Sequence, residues 1–442
     1  MIGRLRTQLQ TLQSSFWLVP ALITAGFMAL AEVLVQLDRT AGPNGIDWAF
    51  SGDAEAARGI LSTIAGSLIT VAGLSFSITI VTLQLVSSQF TPRAVRGFLS
   101  DRVNQSVAGM FVGIFAYCLV VLRSVRGEEL DGTNGFVPAL AVSSAIGLAL
   151  VALAFLLLFI HHMGQLIQVS NISARIARQT LAAVGRLYPA DLGEREERGD
   201  AGETLARWRS EGSPDAVRAS RPGYVRRIDA DRIDAALADG MRAHIAVRPG
   251  DFVTESGAAI EVWPGGELGE RALADLARTI DIQSERDVGQ DVSFGIRQLT
   301  DIALRALSPG INDPTTAVTC IGYLQAIIER LAGRRFPAEL RRLEGRDVTL
   351  VARRRTFDEY ADAAFAELGR YGADNVRVAS ALLLVLASVA RAARAEGAAD
   401  RVDATLRIAR DVAEHAREKV VSDAERHVVR ERLQAVESAA GG

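Results

Sequence analysis

The feature that most constrains this chain is a set of apolar stretches in its first ~165 residues, at about 16–37, 60–90, 105–122 and 136–160. Each approaches or exceeds the ~20 residues that a helix needs to cross a ~30 Å hydrocarbon layer. The second carries no charged residue between Arg58 and Arg93. Its ~31 residues, rising about 1.5 Å each, exceed the bilayer thickness, so the helix must tilt or project. The first stretch follows Arg4 and Arg6 and contains Ala29-Leu30-Ala31, a pattern also found in cleavable signals. Because the run continues through Val33, Leu34 and Val35 to Leu37, an uncleaved helix is expected.

Arginines near the segment ends set an orientation, since positively charged loops stay in the cytoplasm. Arg4, Arg6, Arg93, Arg96, Arg102, Arg175 and Arg178 fall on one side. Arg39, Arg58, Arg123 and Arg126 on the other are outnumbered by Asp38, Asp47, Asp53, Glu55, Glu128, Glu129 and Asp131. Four spans with a cytoplasmic N-terminus place the C-terminal half in the cytoplasm too.

The second stretch carries a polar stripe. At about 100° per residue, Thr63, Ser67, Thr70, Ser77, Gln84, Ser88 and Thr91 fall within about 60° of one direction, interrupted by Leu74 and Val81. Lipid gives these groups no partners. They therefore either glue helices together or, in an oligomer, line a pore. A second polar face at Ser75, Thr79 and Thr82 fits packing. Gly109 and Gly113 form a GxxxG pair that allows close helix approach. Glu32 is expected to snorkel to the outer interface, and His161 and His162 to lie at the cytoplasmic one, with no acidic partner nearby in sequence.

Beyond the fourth span, Ile167, Ile172, Ile176 and Leu181 continue a helical pattern to about residue 188. Residues 189–222, rich in Gly, Asp, Glu and Arg, read as a flexible linker with little fixed structure. From Gly223 to Gly265 the pattern is extended: Tyr224–Asp229, Met241–Val247, Phe252–Thr254 and Ala258–Trp263 read as strands, with a short helix at Asp231–Ala238. The spacing resembles lipoyl-like barrel-sandwich modules but lacks their modifiable lysine, so a structural or oligomerising β-module is expected. Amphipathic helices follow at about 267–281, 289–307, 314–333, 357–370, 373–396, 400–419 and 424–438, with a strand near 348–352. The apolar run Ala379–Ala390 is too short for a fifth span. In Ser308-Pro309-Gly310-Ile311-Asn312-Asp313-Pro314, Pro309 and Gly310 end one helix, Asp313 caps the next, and Pro314 enters its first turn. The functional alternative is a polar cluster of Asp291, Arg297, Asn312 and Asp313 for a small ion or a partner subunit.

The fold class is thus a membrane all-α domain of four transmembrane helices (1–165), a helical connector (166–188), the linker, a small β-module (223–265) and a mostly α-helical cytoplasmic domain (266–442). A net charge of −3 gives no broad basic face for nucleic acid. Lys419 is the only lysine, which points to a GC-rich bacterial genome. Cys118 and Cys320 read as apolar packing residues in a reducing setting. The sequence has no GxxxxGK[ST], HExxH or GxSxG motif and no paired cysteines, so no enzyme, cofactor or metal site is expected.

Leu74-Ser75-Phe76-Ser77 with Gln84, Ser87, Gln89, Pro92 and Arg93, and then the runs Gly295–Leu299 and Ala306–Pro314, resemble the bacterial predicted-membrane-protein family catalogued as domain of unknown function 2254. The resemblance covers most of the chain, least so the linker. It implies a bacterial inner membrane and no catalytic residues. Two function classes follow. One is an oligomeric channel-like protein conducting small cations past the second helix, with acidic outer loops at its mouth. The other is a membrane-anchored scaffold or sensor whose cytoplasmic helices bind a partner. A transporter should show internal repeats or broken helices, and neither is evident.

Overall fold

The computed structural model describes residues 17–41, 49–89, 101–127, 135–166, 169–188, 200–342 and 348–441. The chain divides into two units, residues 1–171 and 172–442.

The first unit contains α1 (Leu18–Ala41), α2 (Ala54–Gln89), α3 (Arg102–Ser124) and α4 (Ala139–Leu166). Its centre is α3, which packs against the other three and buries Phe111, Ile114, Tyr117 and Val121. The close approach of α1 to α3 depends on the glycine pair. A Cβ on Gly109 would lie 2.9 Å from the Pro20 Cα, and one on Gly113 would lie 2.6 Å from the Phe27 ring. Polar groups sit at the helix ends. The Asp38 carboxylate accepts from the Leu140 and Ala141 backbone N–H at 3.0 and 3.1 Å, satisfying two otherwise unpaired donors at the start of α4. Glu32 is half-exposed and pairs with Arg123 at 3.4 Å. His162 does have an acidic partner: Asp101, far away in sequence, lies 3.1 Å from its Nε2 and also caps α3.

The second unit begins within α5 (Val169–Leu187). The helical continuity expected from the fourth span to residue 188 falls on residues 167–168, outside the described set. The expected linker is corrected over its second half, where α6 (Ala201–Glu211) and β1 (Asp215–Arg218) form. The reason is Trp208, an apolar anchor in a polar stretch. It is buried, 5.6 Å in ring centroid from Trp263, whose indole N–H donates to Gly212 O at 2.9 Å. Residues 189–199 lie outside the described set.

After β1 come β2 (Gly223–Ile228), α7 (Ala230–Ala236), β3 (Arg242–Ile245), β4 (Phe252–Val253), β5 (Ala258–Trp263), α8 (Glu270–Ala277) and β6 (Ile280–Gln283). The helix expected over 267–281 therefore stops early. Ile280 and Ile282 alternate inward with period two and pair with β2, which wins over continued helix. Then follow α9 (Val292–Ala306), α10 (Pro314–Ala332), β7 (Leu340–Arg342), β8 (Thr349–Ala352), α11 (Phe357–Tyr371), α12 (Val376–Ala395), α13 (Ala399–Lys419) and α14 (Asp423–Gly441).

Among the described residues the strands form two sheets, in the orders β1-β5-β3-β8-β7 and β4-β2-β6. The β-module expected within 223–265 is thus not a local unit: it recruits β1, β6, β7 and β8 from outside those bounds. The β3–β8 pair is parallel, Ile245 opposite Ala352, so the loops after both strands leave from the same edge.

Among the described residues, five helices are long and apolar enough to cross a membrane by length and composition, α1 to α4 and α12, where four were expected. The difference lies in α12. The run 379–390 sits inside a 20-residue helix whose Val378, Leu382, Leu383, Leu386 and Val389 are fully buried, with α10, α13 and α14 packed against it.

Candidate functional site

The candidate site in the first unit is the outer face of α2. This helix runs unbroken for 36 residues, about 54 Å at about 1.5 Å per residue. It packs on its neighbours through Ala57, Leu61, Leu68, Ser75 and Thr82, which are buried. Those residues lie opposite the stripe. Thr63, Ser67, Thr70, Ser77 and Gln84 are all exposed on the protomer. Ser88 lies in the last turn with its side chain outside the described set, and Thr91 is outside it altogether.

The described part of the stripe therefore does not pack α2 onto its own protomer; of the second polar face, Ser75 and Thr82 are buried there. Within that second face, Thr79 Oγ1 donates to Ser75 O at 2.8 Å, and Ser75 Oγ is buried with no hydrogen-bond partner among the described residues. On the stripe, Thr63 and Thr70 donate back to Gly59 O and Gly66 O at 2.7 and 2.8 Å, which satisfies their hydroxyl protons. Gln84 cannot do this for its whole amide, which presents two donors and an acceptor.

The structure adds residues that the sequence reading passed over. Gly59, Gly66 and Gly73 recur every seven positions and, at about 100° per residue, share the face of Thr63, Thr70, Ser77 and Gln84. A Cβ at each would meet nothing within 4 Å. Their smallness is not used inside the protomer. The signal was in the sequence as a seven-residue spacing, hidden because glycine scores as neither polar nor apolar.

In the second unit, the residues expected as a polar cluster take separate local partners. Asp291 is buried and caps α9, accepting from Phe294 N–H, with the Arg286 guanidinium 2.6 Å from its Oδ2. Arg297 pairs with Asp301 at 2.7 Å and Glu367 at 3.0 Å. Burial works against its charge, but these two carboxylates hold it above its usual range. Asn312 takes the left-handed conformation at φ 50°. Asp313 caps α10 through Thr316, whose hydroxyl and backbone N–H both donate to it and hold its carboxyl below the usual range. Asp291 and Asp313 sit at opposite ends of the 15-residue α9, about 22 Å apart along its axis. Asp291, unlike the others, lines a cavity of about 200 Å³ with Tyr188, Arg248, Arg353, Arg354, Arg355 and Tyr360. That convergence was invisible in the sequence, because its parts are scattered over some 170 positions.

Comparison with known proteins agrees with the apolar helices. A family model described as "Predicted membrane protein (DUF2254)" matches residues 13–388. Uncharacterized proteins of Mycobacterium tuberculosis (strain H37Rv) and Mycobacterium bovis are each 34% identical to this chain over 401 residues, covering 88% of it and 74% of their own length. No solved structure matches.

Proposed function

We propose, from the premise that this chain belongs to the predicted-membrane-protein family known as domain of unknown function 2254, that it is a homo-oligomeric, non-enzymatic, channel-like protein of the bacterial inner membrane. In this reading α1 to α4 span the bilayer and both termini are cytoplasmic, a placement that the arginine asymmetry supports. The fifth apolar helix, α12, is the core of the cytoplasmic helical bundle. Its arginines at 377, 391 and 394 and its burial by α10, α13 and α14 support that assignment.

The observation that carries the proposal is the direction of the α2 stripe. Thr63, Ser67, Thr70, Ser77 and Gln84 are exposed on the outer surface of the protomer. A primary amide facing hydrocarbon without partners is costly, so this face meets water or a second subunit. A symmetric ring of α2 helices supplies both: the open glycines at 59, 66 and 73 let neighbouring helices approach, and the hydroxyls and Gln84 line the space between them. Asp53, Glu55 and the other acidic residues of the outer loops favour small cations at the mouth.

The test is ion flux through protein reconstituted in liposomes, with Ser77→Leu and Gln84→Leu as variants. The proposal expects flux that both substitutions reduce. Flux that is absent, or indifferent to both, favours the second reading, a membrane-anchored sensor or scaffold. That reading has its own observation, the arginine-lined cavity of the second unit.

A further inference from the structure

The cavity of the second unit has the composition and placement of an anion site. Its position follows from the parallel pairing of β3 and β8. Because Ile245 and Ala352 are register partners, the chain after β3, carrying Arg248, and the chain after β8, carrying Arg353, Arg354 and Arg355, leave the sheet side by side. A crevice outside the carboxyl ends of parallel strands is a general location for ligands. Four arginines thereby line one cavity of about 200 Å³. Two helices also start there: α9 contributes its cap Asp291, and α11 contributes Tyr360 from its first turn.

The charge balance favours an anion. Among the described residues that line it, Asp291 is the only carboxylate, and it is already paired with Arg286. Asp251 and Glu359 lie nearby but serve as anchors. Arg248 Nη1 donates to both Glu359 oxygens at 3.0 and 3.1 Å. Asp251 Oδ1 lies 3.8 Å from Arg248 Nε and 3.9 Å from an Arg355 nitrogen. Arg353 Nη1 reaches Ala246 O at 3.3 Å. Arg248 Nε is buried without a hydrogen-bond partner. The guanidiniums of Arg248, Arg353 and Arg355 each present five donors, so donors remain on these three after the contacts above.

The floor is polar in a particular way. Tyr188 and Tyr360, both more than nine-tenths buried, share one hydrogen bond at 2.8 Å between their hydroxyls. Two hydroxyls carry two protons and that bond uses one. Burial keeps both phenols protonated by raising their pKa values. The second proton is thus available to an acceptor in the cavity.

We infer that this cavity binds a small soluble phosphate-bearing anion, held by Arg248 and Arg353–Arg355 and a hydrogen bond from the Tyr188–Tyr360 pair. Guanidinium forks match phosphate oxygens in pairs. The volume lies below the ~300–1,000 Å³ of sites for drug-sized ligands, which selects an anion of orthophosphate or pyrophosphate size. The inference is independent of the pore, because binding is read without flux.

The test is isothermal titration calorimetry of the full-length protein in phosphate-free detergent buffer, with sodium pyrophosphate as the probe and sodium chloride at matched ionic strength as the blank. Saturable binding with a Kd below about 1 mM is expected. Arg355→Gln should weaken it at least about tenfold, and Tyr360→Phe, which keeps the volume, by about threefold. Arg278→Gln, which removes one exposed charge just after α8, should leave it unchanged. If Arg355→Gln does not fold, Arg353→Gln gives the same reading. Absence of saturable heat up to about 10 mM pyrophosphate, or equal weakening by Arg278→Gln, overturns the inference.

Discussion

Replacing Gly109 by Ala adds a single methyl group at the tightest helix crossing of the membrane unit. In a helix interior, Gly→Ala is worth up to about 1 kcal/mol of stability when the space is open. Here the new Cβ stands 2.9 Å from the Pro20 Cα and 3.1 Å from two Ile23 side-chain carbons. Ile23 can change rotamer but the backbone of α1 cannot, so the helices must part by several tenths of an ångström. Overpacking of this kind costs about 1–3 kcal/mol, which against a gain of up to about 1 kcal/mol leaves a net loss centred near ~1 kcal/mol. Gly147→Ala, within α4, is the matched control, since its Cβ meets nothing within 4 Å. It should leave the protomer as stable as before or up to about 1 kcal/mol more so. Gly113→Ala should fall between them, because the atom in its way belongs to the Phe27 ring, which can swing. The assay is thermal and denaturant unfolding in one detergent, followed by near-ultraviolet circular dichroism. A Gly109→Ala protein as stable as the wild type would refute the packing argument.

Other outcomes follow from the second unit. Trp208→Ala should cost about 3–5 kcal/mol by emptying the site against Trp263, measured by denaturant titration; a cost below ~1 kcal/mol would mean that residues 201–211 are not anchored there. Asp313→Ala should cost about 1 kcal/mol through loss of the α10 cap, and Asp313→Asn much less, on the same titration. Burial pushes the Cys320 thiol up to about 11, so a soluble thiol reagent at pH 7.5 should modify it only on unfolding. The folded state then holds this proton where the unfolded state releases it. Stability should therefore fall as pH rises from about 9 to about 11, by roughly 2–3 kcal/mol in all, and Cys320→Ala should remove that slope.

What the sequence made legible was local and periodic. The α2 stripe, the GxxxG pair, the Asp313 cap and the long C-terminal helices all depend on spacings of three to seven residues, and the structure keeps them. Elements that depend on distant partners were misread. β1 and β6 became strands because β5 and β2 lie beside them, and α6 is fixed by Trp208 meeting Trp263, some 55 positions away. His162 found Asp101 in the same manner, and the arginine cavity exists only because β8 pairs with β3 across about 100 residues. For the α2 face, periodicity gave its direction on the helix but not what it faces. That needed the burial of Ala57, Leu61, Leu68, Ser75 and Thr82 on the opposite side.

The central claim is that the exposed stripe of α2 faces water inside an oligomer. Single cysteines at Ser77 and Gln84, and at the lipid-facing candidates Ile69 and Phe76, can be tested in liposomes with a membrane-impermeant thiol reagent, the native Cys118 and Cys320 both being buried. The account predicts rapid labelling at 77 and 84 and none at 69 and 76. Labelling absent from all four, or equal at all four, would contradict it.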